Sequence, residues 1–189
     1  MKNIRLIPLQ PSHLLAYEAL YEASFPASER KPLDYMLTGD SSTAFEVLVV
    51  STPDHPVAGM VITVTHESLT MLDYLAISPD LQGQGLGHAI LPLVHKRIKE
   101  TSGGRFFLEI ETPPPLCIPR DPCENAEQRV RRKAFYCSAG LVETGVRAFI
   151  YGNDMELLAF PEDAPHITFD GYDALLKATF PADMVAKRI

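Results

Sequence analysis

The sequence has few cysteines, no excess of positive charge and no long apolar run, and each shortage removes a class of protein. Cys117, Cys123 and Cys137 are an odd number in 189 residues. No export signal accompanies them, so a disulfide framework is not expected and they are read as free thiols. Cys117 and Cys123 lack C-x-x-C spacing, no histidine pair completes them, and the six histidines are scattered, so no metal site is expected. Lys and Arg number 17 against 24 Asp and Glu, a net charge of −7. That opposes nucleic-acid binding, because a phosphate backbone requires a basic face, and mildly favours a cationic or amine-bearing substrate. The opening residues, Met1 to Pro8, lack the apolar run of a signal peptide, and no segment has the length to span a bilayer. A cytoplasmic protein with no membrane partner is the expectation. Repeats and low-complexity tracts are also lacking.

What is present is ordinary globular material, 46% hydrophobic and 22% charged, in a length that fits one domain with a real core. Ile4, Leu6 and Leu9 suggest a first strand. Leu14, Leu15, Tyr17, Leu20 and Tyr21 then recur at helical spacing after a Pro11-Ser12 entry. Residues 28–37 read as a second short helix ended by Gly39-Asp40. β-Branched runs at Phe45 to Val50 and Val57 to Thr65, joined by Pro53 to Pro56, form a hairpin, and Leu69 to Ile77 makes the next strand. A third helix runs from about Gly85 to Glu100 and closes at Gly103-Gly104. Arg105 to Glu111 is a strand, followed by a proline-rich loop from Thr112 to Pro122. Glu124 to Ala139 is a helix whose apolar face draws on Val130, Ala134, Phe135 and Cys137. Leu141 to Tyr151 and Met155 to Phe160 are the closing strands, turned by Gly152 to Asp154. In the tail, Tyr172 to Ala178 has the pattern of a short docking helix; a tail packed across a substrate cleft or onto a second subunit is equally open.

The chemistry is concentrated where the strand Leu72-Asp-Tyr-Leu-Ala-Ile-Ser-Pro runs into Asp80-Leu-Gln-Gly-Gln-Gly-Leu-Gly-His88. A helix start leaves backbone N–H groups without partners and carries partial positive charge, so it favours an anion such as a pyrophosphate. Gly83, Gly85 and Gly87 would let the backbone take positive φ and approach phosphate closely. This is not a Walker loop, because His88 and Ala89 stand where Lys and Ser/Thr belong, and its last glycine spacing is wrong for a dinucleotide fingerprint.

Gln82-Gly-Gln-Gly85-Leu-Gly87, after a strand ending Leu-Ala-Ile-Ser-Pro, resembles the acyl-CoA loop of the GNAT superfamily of N-acetyltransferases. Arg132-Lys-Ala-Phe-Tyr136-Cys-Ser-Ala-Gly-Leu141 is similar to that family's A-x-x-F-Y-x-x-x-G-F helix end, with Arg132 at its first position and Leu141 at its last. The resemblance covers residues 4 to 160. It implies an α/β (α+β) GNAT fold: a mixed, mostly antiparallel sheet of about seven strands flanked by four helices. Residues 1–160 would form the acetyltransferase domain, with 161–189 as a C-terminal extension packed on it.

The resemblance also implies roles. Leu75, Ala76 and Ile77 would bind the thioester and pantetheine through their backbone, with the Leu75 N–H polarising the carbonyl. Gln82, Gly83, Gln84, Gly85, Leu86, Gly87 and His88 would hold the pyrophosphate of acetyl-CoA, Gln82 standing where most members carry Arg. Asn125 would contact the cofactor, and Tyr136 would lie beside its sulfur as general acid. Phe25, Glu29 and Arg30 would meet the acceptor. For the base, Asp73 alternates with Leu75 on the splayed strand, and Glu109 and Glu111 share a face of the next one; carboxylates between apolar neighbours suggest a cleft lining. Other members of this family use no single base and rely on water. The function implied is acetyl transfer from acetyl-CoA to a primary amine of a small molecule in a ternary complex, without metal. The alternatives are a protein Lys or N-terminal acetyltransferase and a non-catalytic acyl-CoA sensor; a homodimer is open.

Overall fold

In the computed structural model, residues 3–27, 29–38, 44–119, 121–150 and 152–180 are described. The elements are β1 (Arg5–Pro8), α1 (Leu14–Ser24), α2 (Leu33–Thr38), β2 (Ala44–Ser51), β3 (Gly59–His66), β4 (Leu69–Ile77), α3 (Leu86–Thr101), β5 (Arg105–Glu111), α4 (Ala126–Ser138), β6 (Val142–Ile150), β7 (Asn153–Ala159) and α5 (Phe169–Thr179). The seven strands form one sheet in the order β1-β2-β3-β4-β5-β7-β6. All neighbours are antiparallel except β4 and β5. A parallel pair needs a long crossover, and α3 supplies it.

Alternation along β3 sends Val61 to one face of the sheet and Met60, Ile62 and Val64 to the other. On the Val61 face, Leu86, Ile90, Leu91, Val94 and Ile98 of α3 close over Leu72, Phe106, Leu108 and Leu158, and α4 adds Phe135 and Tyr136. On the opposite face α1 and α2 cover the first half of the sheet with Tyr17, Leu20, Tyr21 and Met36. The second half of that face is covered by α5, through Tyr172, Leu175 and Leu176 against Val64, Met71, Phe107 and Leu157. The side chain of Thr168 caps α5 by accepting from the Gly171 N–H at 3.2 Å.

Several boundaries differ from the sequence reading. Helix α2 starts at Leu33, after Pro32, because the residue before a proline is driven out of the helical region. Helix α4 starts at Ala126, since Asn125 sits in the left-handed region at φ 56°. Asn153 already belongs to β7, paired with Ile150. Ser28, Gly39, Asp40, Tyr151 and residues 181–189 lie outside the described residues.

The apolar face assigned to α4 is also corrected. Val130 is 48% exposed and Ala134 and Cys137 are exposed, whereas Arg129 is fully buried. Arg129 and Lys133, one turn apart, face inward because each has carboxylates to meet. Lys133 Nζ reaches Glu156 at 2.8 Å and Glu143 at 2.5 Å. Arg129 bonds Asp121 at 2.7 Å, Asn153 Oδ1 at 2.8 Å and the Thr112 carbonyl at 3.2 Å. Asp121 in turn accepts from the N–H groups of Cys123 and Asp154. The loop before α4 is therefore fixed by one buried guanidinium. Cys117 and Cys123 lie within it as free thiols, their sulfurs 2.6 Å apart.

Candidate active site

Strands β4 and β5 pair only from Leu69↔Arg105 to Leu72↔Leu108. Beyond that rung β5 continues against β7 and β4 against β3, so the two strands part as a fork. The local cause is in β4. Its register with β3 slips between Ile62↔Tyr74 and Thr63↔Leu72, which makes Asp73 the extra residue of a bulge. The bulge also reverses the phase: Leu72, Leu75 and Ile77 face α3, whereas Met71, Tyr74 and Ala76 face away from it.

The same register decides which backbone groups are open to the fork. Ser78 N–H donates to the Ala58 carbonyl at 3.0 Å, which continues the hydrogen-bonded pairs Ala76↔Met60 and Tyr74↔Ile62. By alternation Leu75 and Ile77 direct their main-chain groups away from β3, into the fork. Ala76, expected beside them, bonds instead to β3. Gly59 permits this close pairing, since a Cβ there would lie 2.6 Å from the Ala76 carbonyl oxygen.

After Ile77 the chain passes through a 3-10 turn, Pro79–Leu81, and enters α3 with Gly85 as N-cap at φ 77°. Gly83 and Gly85 both have positive φ with open space where a Cβ would stand. No side chain caps the helix, and its first intrahelical acceptor, the Gly85 carbonyl, serves Ala89 N–H at 3.2 Å. The N–H groups of Leu86, Gly87 and His88 are thus the ones a helix start leaves for an anion. Gln82 Nε2 bonds the Ile77 carbonyl and Gln84 Nε2 the Asp80 carbonyl, each at 3.0 Å, bracing the loop from both sides.

Two residues of this stretch have other work. Gly87 has no positive φ; a Cβ on it would meet Phe135 Cζ at 2.8 Å, so it lets α4 cross α3. His88 shares a hydrogen bond of 2.9 Å with Ser138 Oγ and lies edge-on to Phe135, 4.9 Å between centroids, so its ring is part of the same crossing. The crossing brings Tyr136 onto the α3 face beside the fork, packed with the layer that includes Leu75 and Ile77. Burial pushes its phenol up to about 12, against a small opposing pull from Arg132. Asn125 is not part of this assembly. It lies ten residues before Phe135 at the other end of α4, roughly 15 Å away at 1.5 Å per residue, and its carbonyl receives the N–H groups of Gln128 and Arg129.

The carboxylates each have a partner. Glu111 is bound by Arg132 at 2.8 Å and by Arg129 at 3.4 Å, so two cations hold it against α4. Glu109 accepts a hydrogen bond from the Tyr172 hydroxyl of α5. Both oxygens of Asp73 lie 2.7 Å from Lys31 Nζ. Asp73 and Glu109 are the first residues past the Leu72↔Leu108 rung, and their partners place both on the face away from α3.

The acceptor candidates surround Tyr74 on that face. The rings of Phe25 and Tyr21 meet Tyr74 edge-on, with centroids 4.9 and 5.0 Å away. The Tyr74 hydroxyl donates to the Glu29 carbonyl at 2.6 Å, while the Glu29 side chain is exposed. Arg30 pairs with Glu22 at 3.2 Å. Arg30, Lys31, Tyr21 and Glu22 line a surface cavity of about 630 Å³ beside α1. Nothing in the sequence pattern marks Lys31, Tyr172 or Phe180 as part of a site. Their contacts join residues 42 to 149 positions apart, a distance at which periodicity carries no signal.

Among the described residues no group of His, Cys, Asp and Glu could hold a metal ion, and no helix is long and apolar enough to cross a membrane. No family model and no curated protein matches the sequence. Solved structures do. A protein from Bacteroides thetaiotaomicron described as an acetyltransferase of the GNAT family superposes with a TM-score of 0.67 at 19% identity, over 91% of this chain and 95% of that one. The ribosomal-protein-S18-alanine N-acetyltransferase of Escherichia coli gives 0.58 at 19%, over 84% and 93%. A spermidine N-acetyltransferase from Vibrio cholerae, solved with CoA and spermine, gives 0.59 at 13%, over 86% and 98%. The forked seven-stranded sheet, the glycine-capped α3 and these superpositions agree: the chain has the GNAT acetyltransferase fold.

Proposed function

We propose that the protein is an acetyl-CoA-dependent N-acetyltransferase that transfers an acetyl group to the primary amine of a small molecule by direct attack in a ternary complex. The observation that carries the reading is the fork, with a glycine-capped helix start at its mouth. Leu75 and Ile77 offer main-chain groups along its edge, and the loop from Gln82 to His88 offers uncapped N–H groups at its end. An extended pantetheine arm needs the first and a pyrophosphate needs the second.

The chain's own groups then divide the work by face. The Leu75 N–H points to where negative charge grows on the thioester oxygen. Tyr136, on the α3 face, stands on the side to which the thiol leaves. A phenol at about 12 is a weaker acid than an alkyl thiol at about 8.5. Tyr136 therefore remains protonated and serves by donating a hydrogen bond to sulfur as charge develops there. Asp73 and Glu109, on the other face, meet an amine entering from the Phe25, Glu29 and Arg30 side and take its proton directly or through water. Glu111, held by two arginines, has the role of anchoring α4.

Binding of acetyl-CoA by calorimetry, with Gly85→Glu as control and circular dichroism to confirm its fold, tests the cofactor half. An amine panel that includes polyamines, with release of free thiol as readout, tests the acceptor half. Binding to the wild type alone, with thiol release on small amines, supports the reading. Absence of binding by the wild type removes it. Turnover restricted to peptide amines replaces the small molecule by a protein acceptor.

A further inference from the structure

The apex of the fork already holds a primary amine. Lys31 Nζ lies 2.7 Å from both oxygens of Asp73, the bulged residue where β4 leaves β5. It sits between the rings of Tyr74 and Phe180, 4.7 and 4.5 Å from their centroids. The Lys31 side chain is 12% exposed and that of Asp73 6%. A carboxylate with two ring faces is the set of groups that recognises an alkylammonium, and the Asp73 carboxylate is placed to take its proton. The Leu75 amide lies two residues further on, roughly 7 Å along the strand. Other lysines that meet a buried carboxylate among the described residues lie elsewhere. Lys99 meets Asp163 in the last turn of α3, and Lys133 meets Glu156 of β7.

Resting on the acetyltransferase reading above, we infer that Lys31 is an acceptor for the protein's own transfer reaction, a self-acetylation site at the fork. The Lys31 ammonium gives one proton to the Asp73 carboxylate. The freed nitrogen lone pair forms the N–C bond to the thioester carbonyl carbon and the C–S bond breaks. The sulfur leaves with that electron pair and takes the second nitrogen proton, giving free CoA thiol. Asp73 returns its proton to solvent. The amide left on Lys31 carries no charge, so Asp73 and the two rings lose their cation together.

The test is incubation of the purified full chain with isotopically labelled acetyl-CoA, followed over time by intact mass and peptide mapping. Chemical acetylation by a thioester favours exposed amines, so Lys96, 70% exposed, and Lys177, 61% exposed, are internal references. The expected result is one early adduct, on Lys31, at a rate independent of protein concentration. Gly85→Glu should lose that early adduct. Asp73→Asn should slow it a hundredfold or more. Lys31→Arg keeps a cation against Asp73 and should show no early adduct. Labelling of Lys31 no faster than Lys96, in protein that binds acetyl-CoA and acetylates a small amine, overturns the inference and leaves the enzyme reading intact. Absence of acetyl-CoA binding overturns both.

Discussion

At the scale of single residues, Tyr136 and Gln82 set the cofactor end of the site. With its phenol held at about 12 by burial, Tyr136 stays protonated through the working range and adds no alkaline limb below pH 10. Tyr136→Phe removes the donor while keeping the ring against Phe135, so kcat should fall by roughly 10²–10³. Steady-state kinetics and calorimetry together check this: acetyl-CoA affinity should not move. Gln82 contributes hydrogen bonding without charge, through the Ile77 carbonyl. Gln82→Arg adds a cation that can pair with the pyrophosphate and should tighten acetyl-CoA binding by about two- to fivefold, corresponding to about 0.4–1 kcal/mol, the size of an exposed ion pair. Titrations at low and high salt separate this charge effect, which screening should erase.

At the scale of elements, the crossing of α3 and α4 and the loop before α4 bring the pieces together. Gly87→Ala drives a methyl group against Phe135 Cζ. Overpacking of this kind costs about 1–3 kcal/mol. It should lower the urea midpoint and reduce kcat, because Phe135 and Tyr136 move as neighbours on one helix. Arg129→Ala strips a buried cation from Asp121, Asn153 and Thr112 at once. An orphaned buried carboxylate costs about 3–5 kcal/mol, so chemical denaturation should show a loss of that size. Arg129→Met combined with Asp121→Asn should recover part of it, since the two changes together remove both members of the buried ion pair.

At the scale of the whole molecule, two buried aspartates tie separate elements together and set acid stability. Burial by itself would raise Asp163, but the hydrogen bond from Lys99, the Phe106 N–H and His95 hold its carboxyl below the usual range. Burial likewise opposes, and Arg129 with the Asp154 and Cys123 N–H groups outweighs it, at Asp121. A carboxyl depressed on folding contributes stability that is fully present above the unfolded value of about 3.9 and is lost as pH falls through the lower folded value. Thermal melts should therefore be flat from pH 7 to about 5 and fall steeply below about 4. Asp163→Asn should lower stability at pH 7 and flatten that acid limb.

The sequence by itself determined the order of the elements, the bounds of β4 and β5, and the glycine start of α3. These depend on alternation, helical spacing and left-handed backbone at Gly83 and Gly85, all properties of neighbours in the chain. Only the tertiary structure decided which face each strand residue meets. A bulge at Asp73 reverses the phase of β4 without any mark in its residue pattern, turning Ala76 to β3 and Asp73 to Lys31. It likewise decided that Arg129 and Lys133, not Val130 and Ala134, are the buried side of α4, because their carboxylate partners come from a distant loop and strand. The charge state of the site followed the same rule. Asp73, Glu109 and Glu111 could be placed on strands from local pattern, but the lysine, the tyrosine and the arginines that hold them arrive only when the chain folds. Local geometry is written in adjacent residues; compensation of a buried charge is a property of the whole fold.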